Sequence, residues 1–572
     1  MKIKFCGAAE SVTGSCHLLK LEAKNPGDAN VNILLDCGQF QGSAAQEAQN
    51  YEPFPFNPAE IDYLILSHAH IDHCGRIPLL VKHGFTGTIY CTDATADLLG
   101  IMLRDSAYIH EKEAEWKSRK ALRAGKSEVE PLFSMDDVEE SLKDVHPVLY
   151  DEQISPSEGV KVVFNDAGHI LGSAIVEVWI TENSKSSKIV FTGDLGVEGR
   201  PLLNDPTYIK KADIVILEST YGNRIHESGA ASVEDLANII ERTTKRGGTV
   251  IVPSFAVGRT QDLIYELNLF YENQRDGDFG NIKVYIDSPM ATAATDVFKE
   301  NMQNFDEKTK ALIFSGDDPL DFVNLTFTRS VDESKALNAD RSPKVIISAS
   351  GMCEAGRIRH HLKHHLWDPK ASIVFVGYQG EGTLGRRILE GAKTVMIFGE
   401  EIYVNAEIHN LQGFSAHADR DGLLDWVKHI TNKPKAVFLV HGETKAKLAL
   451  AELIEGTTDL TPTVIERISE FDMDDFTAVA PSSVSKHKDS TVDDIDPEDT
   501  MKTMNKIRNI NDNFEKLLYD AKLAFNTAIE EGDNEKVVAI RNLLLTLDKD
   551  TVQLASALTK DKNGSKKDGD IV

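Results

Sequence analysis

Ile61-Asp-Tyr-Leu-Ile-Leu-Ser67 runs directly into His68-Ala-His70-Ile-Asp72-His73, and the reading of the rest depends on this stretch. The first seven residues form an apolar run of strand type that ends at a turn. A histidine pair two apart at a strand end places both imidazoles on one side of the chain, while Asp72 and His73 follow where it turns into a helix. Three ring nitrogens and a carboxylate within six residues form the donor set that borderline divalent cations take. A single histidine at a strand end is more often structural. Four ligand-type residues at this spacing predict a metal centre.

Working outward, other donors stand at strand ends. Asp36 closes Val31-Asn-Ile-Leu-Leu-Asp36 ahead of Cys37 and Gly38. His169 sits in Ala-Gly-His-Ile-Leu-Gly-Ser, and Asp194 follows the strand Ser187–Thr192 in Phe-Thr-Gly-Asp-Leu-Gly. An aspartate beside glycine is ordinarily just a turn. The ordered series, each member after a β-run, has more meaning than any one of them.

Composition sets the frame. The chain has 572 residues, 41% hydrophobic and 27% charged, which predicts two or three domains of a soluble globular protein. No apolar run is long enough for a membrane span, and Met1 to Glu10 reads as a first strand rather than a leader, so a cytoplasmic protein is expected. The six scattered cysteines include no C-x-x-C pair, which argues against a thiolate zinc site and a disulfide framework. A net charge of −28 argues against a protein that coats nucleic acid through a broad basic surface. An enzyme holding a few phosphates in a local cleft stays open.

Beyond about Val233 the pattern becomes helices alternating with continuous apolar strands: Thr249–Pro253, Lys283–Asp287, Lys344–Ser348 and Ser372–Gly377. Strands apolar along their whole length predict a parallel sheet covered on both faces. Lys435–Val440 is a further buried strand leading into His441. A Ser/Asp/Thr-rich linker spans 481–499. After it an apolar stripe, from Ile507 to Ala528, and a second helix after Gly532 predict a helical hairpin over 500–560, with a polar tail over 561–572. That stripe either docks on its own chain or serves a homodimer or a protein partner.

The order Asp36, H-x-H-x-D-H, His169, Asp194 resembles the motif series of the metallo-β-lactamase superfamily. Glu218-Ser-Thr-Tyr-Gly222, Phe414-Ser-Ala-His417-Ala-Asp and Val440-His441-Gly-Glu resemble the three further motifs of its β-CASP family. Pro253–Asp262, Ser348-Ala-Ser350-Gly-Met352 and Gly377–Gly385 match the same family, and the likeness covers about residues 1–470. It implies an α/β fold: an αββα sandwich over 1–221 and 396–480, with a β-CASP α/β domain inserted over 222–395.

By the same resemblance, His68, His70, His169 and Asp194 would hold one Zn²⁺. Asp72, His73, His441 and the shared Asp194 would hold a second, with Mn²⁺ or Fe²⁺ as alternatives. Asp36 would orient a ligand histidine. His417, positioned by Glu218, would protonate the leaving oxygen of a phosphodiester, with Asp72 also in the catalytic set. Arg259, Ser350, Arg357, Arg359, His360, His361 and Arg386 lie in glycine-flanked or cationic runs of the insert, and are expected to contact phosphates. His360-His361-x-x-His364-His365 has the spacing of a third metal site but reads better as a phosphate-facing helix.

The resemblance implies a ribonuclease acting on single-stranded RNA, with the Ser-x-Ser-Gly-Met run favouring internal cuts over 5′-to-3′ digestion. Hydrolases of small thioesters or lactones share the H-x-H-x-D-H core but would lack the insert and the settings of Glu218, His417 and His441. A silent scaffold would be expected to have lost ligands, and a DNA-processing member to carry another residue at His441.

Overall fold

The computed structural model describes residues 1–479 apart from 10, 23–29, 126, 183–184, 228, 274–280, 381, 474–475 and 477. The expected linker, helical hairpin and tail beyond residue 480 lie outside the described residues. Among the described residues no helix is long and apolar enough to cross a membrane, and all six cysteines are buried and unpaired.

Two sheets form a sandwich. The first has eight strands, in the order Ala478–Val479, Ser469–Asp472, Lys2–Phe5, His17–Leu21, Val31–Leu35, Tyr63–Ile65, Thr88–Thr92 and Val145–Val148. The second has seven: Thr463–Val464, Ala436–Leu439, Ile214–Leu217, Lys185–Phe191, Ala174–Glu182, Val160–Asp166 and Gln153–Ile154. Alternation in the strands separates their two faces. Ile3, Phe5, Leu19, Ile33 and Leu35 of the first sheet pack against Val162, Phe164, Val176, Val178 and Ile216 of the second. The opposite faces are covered by helices. Leu18, Leu34 and Leu64 meet Leu80, Leu99 and Leu103 on one side, and Val190, Val215 and Leu439 meet Leu423, Trp426 and Leu450 on the other. The result is the expected αββα arrangement.

The third sheet has six strands in the order Leu325–Phe327, Lys283–Ile286, Lys344–Ser348, Thr249–Pro253, Ser372–Phe375 and Glu407–Asn410. All its pairings are parallel. Thr249–Pro253 and Lys344–Ser348 are buried at every position, as a central parallel strand covered on both faces must be. Glu407–Asn410 pairs with Ser372–Phe375, so the inserted layer runs to Asn410 rather than ending at residue 395. Its half-polar sequence hides it, because an edge strand need not be apolar throughout.

Candidate metal centre

The motif Ser67–His73 folds as its sequence directs. The strand Tyr63–Ile65 ends just before it, and Ile71–Cys74 forms a single helical turn with His70 at its start. The Asp36–Gly38 loop lies directly against this turn. A Cβ on Gly38 would come within 1.6 Å of the Asp72 carbonyl oxygen, so only glycine permits the approach. Asp36 and His441 both take left-handed backbone, at φ 59° and 51°. Non-glycine residues carry that strain where neighbouring structure over-determines them, commonly at functional sites.

The seven predicted ligand side chains converge in two groups: His68, His70, His169 and Asp194, and Asp72, His73 and His441, with donor atoms inside each group within 4.8 Å of one another. In the first, His70 Nδ1 lies 3.1 Å from His68 Nε2 and 3.2 Å from His169 Nε2. Asp194 Oδ2 is 3.5 Å from both of those Nε2 atoms. In the second, His73 Nε2 and His441 Nε2 are 3.1 Å apart, with Asp72 Oδ2 at 3.6 Å from the latter. Asp194 Oδ2 is also 3.4 Å from His73 Nε2, which makes this carboxylate common to both groups.

These separations fit a bound cation. Tetrahedral donors about 2.0–2.1 Å from zinc are about 3.3 Å from one another. Asp194 Oδ1 is buried, 3.3 Å from His441 Nδ1, and makes no hydrogen bond. A buried carboxylate oxygen without a donor needs a positive charge nearby. The donors are nitrogen and oxygen, with no thiolate.

Partners behind the ligands fix which ring nitrogen faces inward. His73 Nδ1 donates to Asp36 Oδ2 at 2.7 Å, leaving Nε2 free. Asp36 in turn accepts from Ser67 N–H at 2.8 Å, Ser67 Oγ at 3.0 Å and Ser15 Oγ at 2.9 Å. Ser67 Oγ also lies 3.0 Å from His68 Nδ1. His169 Nδ1 faces the Ala416 carbonyl at 3.3 Å, and Thr220 Oγ1 stands 3.2 Å from His441 Nδ1.

The electrostatics favour binding at the first group. In the second, burial opposes charge on His73, but the Asp194 and Asp36 carboxylates outweigh it and raise its pKa, so a cation binding there must displace a proton. Burial, with the neighbouring His68 ring, pushes His70 down to about 3. Burial and the His417 ring hold His169 well below the usual imidazole value. Burial opposes charge on Asp194, but His441, His73 and His417 outweigh it and hold its pKa well below the carboxylate range. Neutral imidazoles and ionised carboxylates are the forms that bind metal.

Beside this cluster, His417 Nδ1 lies 3.2 Å from Glu218 Oε1 and 3.8 Å from Asp194 Oδ2. Glu218 is fully buried and accepts from the Leu195 and Thr220 N–H groups at 2.8 and 3.0 Å. Burial works against protonation of His417, but the Glu218 and Asp194 carboxylates outweigh it and raise its pKa. His226 Nε2 holds the His417 carbonyl at 3.0 Å. A cavity of about 600 Å³ lies between sandwich and insert, lined by His70, Asp72, His169, His417, Arg259 and Ser350 among others.

The remaining expected phosphate contacts lie elsewhere. His361 is fully buried, with Nε2 2.6 Å from Asp287 Oδ2 and Nδ1 2.9 Å from Asn338 Oδ1. Arg357 donates to Asp287 Oδ1 at 2.7 Å and to the Arg329 carbonyl at 3.1 Å. For these two the expectation is corrected: they brace the insert internally. Arg359 lies over the Phe398 ring, His360 packs on the same ring, and neither lines the cavity. Arg386 pairs with Glu390 at 2.6 Å and lines a separate 40 Å³ pocket. Among the described residues none of these histidines joins a metal-type cluster. Ser15, Ser67, Thr220 and His226 were not anticipated. Ser67 and Thr220 stand inside the quoted motifs and His226 just after one, whereas Ser15 carries no sequence signal.

A buried, thiolate-free cluster of imidazoles and carboxylates at the edge of an αββα sandwich defines a metal-dependent hydrolase. Residues 24–254 match the metallo-β-lactamase superfamily, 260–388 the β-CASP domain, and 401–465 the Zn-dependent metallo-hydrolase RNA specificity domain. The chain is 38% identical to a ribonuclease of Thermus thermophilus over 79% of its own length and 96% of that protein. It is 32% identical to an RNase J-like protein of Methanocaldococcus jannaschii, over 81% of the chain and 97% of the relative. It is 31% identical to the transcription termination factor FttA of the same organism, over 79% and 69%. The chain belongs to the β-CASP family of the metallo-β-lactamase superfamily.

Proposed function

We propose that the protein is a two-zinc phosphodiesterase that cuts single-stranded RNA internally, leaving 5′-phosphate and 3′-hydroxyl ends. The observation that carries this reading is Asp194, whose Oδ2 faces both donor groups while His417 stands 3.8 Å from it. RNA is favoured over DNA and small esters by the match to an RNA specificity domain and by relatives named as ribonucleases.

His68, His70, His169 and Asp194 would hold one ion, and Asp72, His73, His441 and Asp194 the other. Zinc suits this donor set, and manganese or iron would also be accepted. When bound, the ions supply a nucleophilic water near neutral pH and neutralise charge on the phosphoryl oxygens. Asp36 keeps the His73 proton on Nδ1, so that Nε2 presents its lone pair. His417 gives a proton to the leaving 3′-oxygen. With Nδ1 tied to Glu218, its Nε2 is the nitrogen left for substrate, and the Glu218 and Asp194 carboxylates raise the pKa of the ring, which favours its protonated form. Arg259 and Ser350, both on the cavity wall, would contact phosphates flanking the cut.

The test is incubation of zinc-loaded protein with 5′- and 3′-end-labelled RNA and DNA strands of one sequence. Internal RNA fragments with 5′-phosphates are expected, and none after His68→Ala. Mononucleotides released from the 5′ end would replace the endonuclease reading with an exonuclease. Hydrolysis of thioesters or lactones with both strands intact would overturn the assignment.

A further inference from the structure

The helix Asp93–Arg123, 31 residues long, has a surface that the chemistry above does not use. Its first half is built into two hydrophobic clusters, through Leu98 in one and Leu99 and Leu103 in the other. From residue 111 outward only Ala114 is buried, and Trp116 and Leu122 stand 51% and 54% exposed. A tryptophan left half in water gains little for the fold. Tyr108, Lys112, Trp116 and Lys120 follow at four-residue steps, so aromatic and cationic side chains alternate along one ridge. Lys120 Nζ lies 3.6 Å from the Trp116 ring centroid, and Lys112 Nζ 5.8 Å from that of Tyr108.

The local charge opposes that of the molecule. Residues 112–123 hold five Lys or Arg against two Glu, a net of +3 in a chain of −28. The surface is also continuous with the metal cluster. Met102, Ile109, Glu113 and Lys117 of the same helix line the cavity that contains His70, Asp72 and His169. Lys117 and Arg259 are the two Lys or Arg residues among those lining it. Tyr51, 60% exposed, lines it as well and stands beside Lys117.

We infer that the outer half of this helix, with Trp116, Lys117, Lys120 and Tyr51, is a docking track for single-stranded RNA outside the reacting nucleotides. The inference rests on the RNA reading of the metal centre. Aromatic faces take bases of any identity, and interleaved cations track the backbone. Lys120 lies over one face of the Trp116 indole, and the side chain as a whole stays half exposed to a base. From Met102 to Lys117 the helix rises about 22 Å, so the track meets nucleotides well removed from the cut.

The experiment compares zinc-loaded full-length protein on strands of about 5 and about 30 nucleotides. Wild-type protein is expected to favour the long strand in kcat/KM. Trp116→Ala is expected to raise KM for that strand about five- to a hundredfold, and Trp116→Tyr to restore it. Lys117→Ala combined with Lys120→Ala should lower the slope of log KM against log salt by about 1.4. A Trp116→Ala protein that keeps the wild-type length preference overturns the track and leaves the RNA reading intact. Wild-type protein that cuts neither strand removes the reading beneath it. A Trp116→Ala change in sedimentation with KM for the long strand unaltered assigns the ridge to a protein contact and likewise overturns the track.

Discussion

Replacing Asp36 by Asn removes one charge from a group that touches no substrate, and tests how the fold sets the ligand state of His73. Asp36 is fully buried. Its Oδ1 accepts the Ser67 N–H at 2.8 Å, and its Oδ2 accepts His73 Nδ1–H at 2.7 Å with two hydroxyls. In the Asp36→Asn variant the side-chain oxygen must stay with the Ser67 N–H, which puts the amide NH₂ against His73. Rotating the amide instead sets NH₂ against the Ser67 N–H. Either orientation brings two donors face to face, and the escape is for His73 to move its proton to Nε2. That is the nitrogen 3.1 Å from His441 Nε2 and 3.4 Å from Asp194 Oδ2, so the lone pair is lost to metal.

Loss of such an orienting partner costs about 10- to 100-fold in metal affinity, or about 1.4 to 2.7 kcal/mol. The loss should fall on the His73 and His441 group, and the His68, His70 and His169 group should keep its ion. Zinc titration against a competing chromophoric chelator resolves the two sites, and circular dichroism checks that the fold is kept. Two equivalents held by Asp36→Asn with wild-type affinities would refute the tautomer argument.

Glu218→Gln should lower kcat about 10²- to 10⁴-fold, the usual worth of a positioned acid. Because the carboxylate raises the His417 pKa, its removal should also move the alkaline limb of the pH–rate profile to lower pH, while zinc content stays unchanged. In the insert, Asp287→Ala should destabilise by about 3–5 kcal/mol, read as a lower urea midpoint, because Arg357 and His361 lose their buried carboxylate. Burial opposes its charge, but His361, Ser334 and Thr328 outweigh that and hold the Asp287 pKa below the usual carboxylate value. Its stabilising contribution is therefore present above about pH 4 and lost as pH falls below that, and acid unfolding of the variant should show a shallower pH dependence there.

The residues of the two donor groups were legible because each is a chemically distinctive residue at the end of an apolar run, where strand geometry leaves little choice of direction. The central strands of the insert were legible for a related reason: burial on both faces imposes a continuous apolar run. The cationic run Arg357–His365 misled because residue type does not tell a solvent-facing side from a buried one. The periodicity did hold that information. Ile358, His361, Leu362 and His365 follow at i, i+3, i+4 and i+7, and these are the buried residues of the helix Ile358–His365. Ser67 and Thr220 carried no spacing signal, since their role depends on which ring nitrogen they meet.

A chain of net charge −28 that handles a polyanion must confine attraction to a small area. Asp105, Glu47, Glu113 and Glu354 also line the cavity, and burial with the neighbouring Glu113 and Glu354 raises the Glu47 pKa. Such walls repel phosphate except where positive charge is concentrated. Three places would offer it: the donor cluster around Asp194 with cations bound, Arg259 of the insert, and the outer helix, where Lys117 pairs with Glu113 at 3.2 Å but is flanked by further cations. On the proposed function, a strand held at all three would have its scissile phosphate drawn towards the histidines of the donor cluster, while the acidic remainder would keep it from settling elsewhere. The same carboxylate surplus that disfavours general nucleic-acid binding thus becomes a source of register, because little else on the cavity wall attracts the backbone.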